Sequence, residues 1–132
     1  MMDPSVESRI SDGLSALHAH LHGKRQSAAR TYIAGDDVVV VVLEETFTPA
    51  EQALVDRGEA ERIQELRRRL RRVMADDIGA IVEQATGRRV RSYISDTDLA
   101  EQVSIEVFLL GASLEDMSGF ETAGDSEESG GS

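Results

Sequence analysis

Hydrophobic positions along this chain follow two periods, one helical and one of strands. Ile10, Leu14, Leu17 and Leu21 recur at steps of four, three and four, with Glu7, Arg9 and Asp12 mostly off their face. The spacing predicts a first helix from about Pro4 to His22, with Pro4 in the first turn and Gly23 as a stop. The stretch ARTYIAGDDVVVVVLEE predicts two strands, about 28–34 and 37–45, joined at Gly35-Asp36, where glycine tolerates positive φ. Val38 to Val42 form a β-branched run without period, as in a strand covered on both faces or lying at a subunit contact.

In TFTPAEQALVDRG, Thr48 is placed to cap a helix, Pro49 to open it, and Glu51 to complete a capping box. This predicts a short helix to about Arg57, stopped at Gly58, and then a long helix from Glu59 to Thr86, closed by Gly87. RRVRSYISD and EQVSIEVFLL predict strands over about 88–95 and 102–110, the second with Val103, Ile105, Val107 and Leu109 on one face. The order α-ββ-αα-ββ predicts an α+β fold: a four-stranded, mainly antiparallel sheet with helices packed on one face. From Gly111 the sequence is rich in Gly, Ser and acid with isolated apolar residues. The expected organisation is one domain over residues 1–112 and a disordered acidic tail over 113–132.

Composition narrows the chemistry. The absence of cysteine excludes disulfides, thiolate metal sites and cysteine nucleophiles. The opening MMDPSVESRISDG has no basic segment leading into an apolar run, and no eighteen consecutive apolar residues occur. The expectation is a cytoplasmic protein without a transmembrane segment. The formal net charge is −11, yet six of the 25 acids follow Leu114 with no basic residue among them, which leaves the body at −5. That balance argues against a nucleic-acid partner.

Against it stands RIQELRRRLRR, residues 62–72, with six arginines. At about 100° per residue, and with Leu70 as the centre of the apolar stripe, Ile63, Leu66, Val73 and Met74 lie within about 60° of it. Arg68 and Arg72 then point away, Arg69 and Arg71 lie on the flanks, and Arg62 and Arg67 sit at the boundary, where their stems can cover the edge of the core. The arginines are expected on the solvated face. Arg67, Arg68, Arg69, Arg71 and Arg72 are the candidate partner-binding residues if that face binds an anionic surface. The wheel also puts Asp77 inside the stripe while Ile78, Ile81, Val82 and Ala85 centre further round, which predicts a bend near Asp76, Asp77 and Gly79.

Other candidates are weaker. His18 and His22 lie one helical turn apart, but no carboxylate at a matching offset completes a metal site, so they are expected at the surface of the helix end. Asp36-Asp37 and DTD at 96–98 are expected in hairpin turns. Gly23-Lys24 lacks the rest of a phosphate loop, and no nucleophile elbow occurs. The residues thus predict no catalytic site, no cofactor and no metal.

Across the whole chain, RTYIAGDDVVVVVLEETFTPAEQALV, the basic ELRRRLRR helix closing in ATGRRV, and the hairpin SYISDTDLAEQVSIEVFLL resemble the small bacterial MpsC-like family. The resemblance runs from about Val6 to Leu110, with TPAE at 48–51, TG at 86–87 and SD at 95–96 as its more specific points. Asp76 stands where proline is common in the family, and the acidic tail is longer. The resemblance implies a link to a sodium-translocating, membrane-potential-generating system associated with inorganic carbon uptake, and so a non-enzymatic accessory or assembly protein peripheral to a membrane complex. The alternative is a nucleic-acid or anion-binding regulator using the arginine helix. An apolar run on a sheet covered by helices on one side leads us to expect a homodimer joined through sheet or helix faces.

Overall fold

The computed structural model describes residues 5–22, 28–44 and 47–115; the start at Pro4, the stop at Gly23 and nearly all of the predicted acidic tail lie outside them. The elements are α1 (Val6–His22), β1 (Ala28–Ala34), β2 (Val38–Glu44), α2 (Pro49–Asp56), α3 (Ala60–Val73), α4 (Ala75–Thr86), β3 (Arg88–Asp98) and β4 (Val103–Ser113). This is the predicted α-ββ-αα-ββ order. The strands form one sheet in the order β1-β2-β4-β3, antiparallel throughout, so the last strand lies between β2 and β3.

Local chemistry sets most of the boundaries. Gly35 (φ 62°) opens the first hairpin turn, and Gly87 (φ 72°) ends α4 in the left-handed region. At the start of α2, the Glu51 amide donates to Thr48 Oγ1 at 3.1 Å, and the Thr48 amide donates to Glu51 Oε1 at 2.9 Å, closing the predicted capping box. The long helix predicted over 59–86 is broken at Met74 (φ −95°, ψ 9°), just ahead of the expected bend. The break turns α4 so that Ile78, Val82 and Ala85 are buried while Asp77 is exposed, which removes the conflict that a straight helix would have created. β3 and β4 each run three residues further than expected, to Asp98 and Ser113.

The core lies between the helices and one face of the sheet. Ile10 and Leu14 of α1 and Ile78, Val82 and Ala85 of α4 pack against Val39, Val41, Leu43, Phe108 and Leu110. Val38, Val40 and Val42 alternate onto the other face and are half-buried, so the valine run is covered by helices on one side only. The apolar side of β4 is likewise opposite to the core. Ser104, Glu106, Phe108 and Leu110 face the helices, and Ile105, Val107 and Leu109 face out. The open face carries registered rows: Ala34-Val38-Leu109-Ser92, Tyr32-Val40-Val107-Ile94 and Arg30-Val42-Ile105-Asp96. Tyr32 is 54% exposed and Ile94 64% exposed, so this face meets solvent with apolar side chains.

Helix α1 is held close to α4 at Gly13, where an added Cβ would lie 2.7 Å from Ile81 Cγ2, while a Cβ at Gly79 would meet nothing within 4 Å. Gly13→Val should therefore destabilise by about 1–3 kcal/mol through overpacking. Gly79→Ala should stabilise by about 0.5–1 kcal/mol through helix propensity. Urea denaturation of the two variants checks this, and a stable Gly13→Val would show that α1 does not seat against α4 as described.

Candidate functional site

The buried face of α3 reads Ile63, Arg67, Arg71, at steps of one helical turn. This corrects the wheel centred on Leu70. Arg67 and Arg71 are 2% and 8% exposed, whereas Leu66 and Val73 are 53% and 72% exposed. The physical reason lies outside the helix, since two carboxylates from other elements await these arginines.

Arg67 meets Glu51 side-on with one edge of its guanidinium, Nη2 donating to Oε1 at 2.9 Å and Nε to Oε2 at 3.3 Å, and its Cζ lies 5.8 Å from the centre of the Phe47 ring. The carboxylate that caps α2 is thus also the partner of a buried arginine on α3. Arg71 reaches deeper. Its Nε donates to Glu106 Oε2 at 3.0 Å, Nη1 to Thr97 Oγ1 at 2.9 Å and Nη2 to Ser104 Oγ at 2.6 Å. Glu106 also accepts from Ser95 Oγ at 3.0 Å and from the Tyr93 hydroxyl, and Tyr93 stacks on Phe108 with ring centres 4.9 Å apart. Burial, and after it the Glu106 carboxylate, push the Tyr93 phenol well above its ordinary value.

Strand alternation gathers these groups. Tyr93, Ser95 and Thr97 point inward from β3, and Ser104 and Glu106 from β4, in registered pairs Ser95-Glu106 and Thr97-Ser104. The donors and acceptors meet one another, which is what makes an ion pair tolerable in an apolar interior. Beside the network, an open cleft of about 600 Å³ is lined by Arg68, Arg71, Arg72, Ala75, Tyr93, Ile94, Ser95 and Asp96. Arg68 crosses its rim to Asp96 at 3.6 Å, and Gln64 donates to Asp96 Oδ1 at 3.3 Å and to the Thr97 carbonyl at 3.0 Å.

The five candidate arginines therefore divide. Arg67 and Arg71 are internal ion-pair residues, and Arg68, Arg69 and Arg72 are exposed on α3. The expected surface position of His18 is also corrected. His18 is 5% exposed because it continues the Ile10-Leu14 stripe, while His20 is exposed. Among the described residues, no group of three or more His, Asp or Glu could hold a metal ion. Asp36 and Asp37 lie in the first hairpin turn, but the second turn spans residues 99–102, and Asp96 to Asp98 belong to β3. Asp98 still serves that turn, accepting from the Glu101 amide at 3.2 Å. Sequence reasoning missed Glu106, Tyr93, Ser95, Thr97 and Ser104. The signal was the inward polar half of two neighbouring strands, 93-95-97 and 104-106, which calls for a buried cation.

Residues 3–112 match the family model described as "Na+-translocating membrane potential-generating system (MpsC)". The chain belongs to the MpsC family. No curated protein and no solved structure matches it. Among the described residues of this MpsC-family chain, no helix is long and apolar enough to cross a membrane.

Two outcomes test the network. Arg71→Met should cost about 3–5 kcal/mol by leaving Glu106 buried without its cation, and Arg71→Met combined with Glu106→Met should cost less than the sum of the single changes. A strictly additive result in urea denaturation would dissolve the pair as an energetic unit. Tyr93 gives the pH dependence. Its folded pKa lies above its unfolded value, so the stability it contributes is fully present below about pH 10 and is lost as pH rises through the raised value. The melting temperature should fall above about pH 10, and Tyr93→Phe should flatten that fall. An unchanged slope in the variant would assign the alkaline loss to other groups.

Proposed function

We propose that this MpsC-family chain is a non-enzymatic accessory or assembly protein. It works as a homodimer at the cytoplasmic side of a Na+-translocating membrane system, in a setting linked to inorganic carbon uptake. The observation that carries the reading is the division of the sheet. Its inner polar groups, Arg71, Glu106, Tyr93, Ser95, Thr97 and Ser104, are bonded to one another. Its outer rows present Tyr32, Ile94 and Ile105 to solvent. Outward apolar rows support docking, and closed polar clusters support a structural role for the charges. The family match supplies the membrane context.

A second reading draws on Arg68, Arg69 and Arg72, exposed together on α3 and in part lining the 600 Å³ cleft. These three could form a surface for nucleic acid or another anion. The body's net charge of −5 (14 basic against 19 acidic residues through Leu114) weighs against it.

Affinity capture of the tagged full chain from detergent-solubilised membranes of its native host, with mass spectrometry, tests the first reading. Subunits of a Na+-translocating complex should be recovered, and deleting the gene should reduce the sodium-dependent membrane potential. Recovery of nucleic acid instead, released by salt and lost in Arg68→Gln/Arg69→Gln/Arg72→Gln, would overturn it in favour of the second.

A further inference from the structure

We propose that the open sheet face binds a second copy of this chain about a two-fold axis that runs parallel to the strands, midway between β2 and β4, with Arg30 of each copy on Asp96 of the other. The proposal deepens the reading of the chain as a homodimeric docking protein and rests on it.

The register sets the pattern of the open face. In the sheet order β1-β2-β4-β3, each outward row crosses all four strands: Tyr32-Val40-Val107-Ile94, then Arg30-Val42-Ile105-Asp96, then Ala28-Glu44-Val103-Asp98. A rotation about the stated axis lays β1 of one copy over β3 of the other, and β2 over β4, each row on its own copy. Tyr32 then meets the second copy's Ile94, Val40 its Val107, Val42 its Ile105, and Arg30 its Asp96. Every contact occurs twice, as an isologous interface requires.

The other in-plane axis, perpendicular to the strands, lays each strand on itself and reverses the rows. It would press Ile94 against the second copy's Asp96, burying a carboxylate on an apolar group, and would set Arg30 on the second copy's Tyr32 instead of on an acid, whereas Glu44 meets an apolar residue under either axis. The charge pattern therefore selects between two otherwise equal ways of closing one face. Sheets packed face to face cross at about −30° because each is twisted. That offset is greatest at the edges, where Arg30 has the longest side chain on the face.

The charged groups at the rim are accessible to a second copy. Arg30 is 54% exposed and touches Glu44 at 3.4 Å. Asp96 is 71% exposed, its Oδ1 accepting from Gln64 at 3.3 Å and from the Thr97 amide at 2.9 Å and lying 3.6 Å from Arg68, so pairing with a second copy's Arg30 draws on the exposed remainder of its carboxylate. Glu44 and Asp98 occupy the outermost row, where solvent reaches them. Strands of 7 to 11 residues, at about 3.3 Å per residue and about 4.8 Å between strands, give a face of roughly 19 Å by roughly 23–36 Å. Its flat projection is on the order of 500 Å², and side-chain relief brings it toward the roughly 800 Å² per partner of a standard interface. Such a face fits a dimer that forms at micromolar concentration.

Sedimentation velocity of the full chain from about 1 to about 100 µM tests the proposal. The expected mass is twice 14.4 kDa. Val107→Glu, at the centre of the face, should weaken the dimer by roughly 30-fold or more, with the circular dichroism spectrum retained. Arg30→Asp and Asp96→Arg should each weaken it by roughly 10-fold, and the double variant Arg30→Asp/Asp96→Arg should recover most of that loss. Within one copy the double variant sets a carboxylate beside Glu44 and a guanidinium beside Arg68, so recovery can come only from contacts between copies. A mass of 14.4 kDa at all concentrations, a dimer indifferent to Val107→Glu, or a double variant as weak as the product of the singles would overturn the proposal. These outcomes are independent of the membrane capture. A monomer that still recovers the Na+-translocating subunits would overturn the dimer alone, and a dimer that recovers none would overturn the accessory role alone.

Discussion

The buried ion pair between Arg71 of α3 and Glu106 of β4 constrains the fold more tightly than any apolar contact. An apolar helix face can slide along a sheet at modest cost, because one aliphatic contact resembles the next. A guanidinium bonded to Glu106, Thr97 and Ser104 at once cannot. Moving α3 by one residue would leave Glu106 in the interior without a cation, at a cost of about 3–5 kcal/mol. Because Tyr93 and Ser95 also donate to Glu106, the same carboxylate ties edge strand β3 to central strand β4. Helix, central strand and edge strand are thus located by one group. The second pair, Arg67 with Glu51, repeats the device one turn earlier and draws the capped start of α2 onto α3.

How far this could be read from the sequence depended on whether the cause was local. Thr48, Pro49 and Glu51 cap α2 through atoms a few bonds away, and Gly35 and Gly87 supply conformations that their own turns require, so these boundaries were legible. β1 was legible to the residue. The face of α3 was not. A helical wheel ranks positions by the hydrophobicity of the helix alone, and on that scale Leu66 and Val73 belong inside and Arg67 and Arg71 outside. The order is inverted because the carboxylates that receive the arginines come from α2 and β4. In β4 the alternation Ile105-Val107-Leu109 does share one face as read, but nothing local says that this is the open face, while the core side carries a serine and a glutamate among its apolar residues. The Asp77 conflict, by contrast, was a true signal, and a break at Met74 resolves it.

The arginines of this chain serve two different ends within one helix. Those whose stems cross apolar surface reach a fixed acid and become part of the interior. Those one position further round, Arg68 and Arg72, stay in solvent above the cleft. An acidic protein can therefore carry a run of basic residues without a basic surface of matching size. What is left outward is a sheet face with apolar residues at its centre and charged ones at its rim, and a short cationic edge on α3.

The position of β4 has a consequence for the chain as it emerges during synthesis. β4 is the last strand of the sheet to be made, yet it occupies the middle, with β2 on one side and β3 on the other. Until it arrives, β2 offers five consecutive valines along an unpaired edge, β3 has no neighbour, and Arg71 lacks its acid. Nothing that precedes β4 can close the sheet, so the nascent protein holds an exposed β-branched strand until all the other elements of the fold have been made. Closure of the sheet therefore waits for β4, and a chain that stops just short of it leaves open the edge of β2 that β4 would pair.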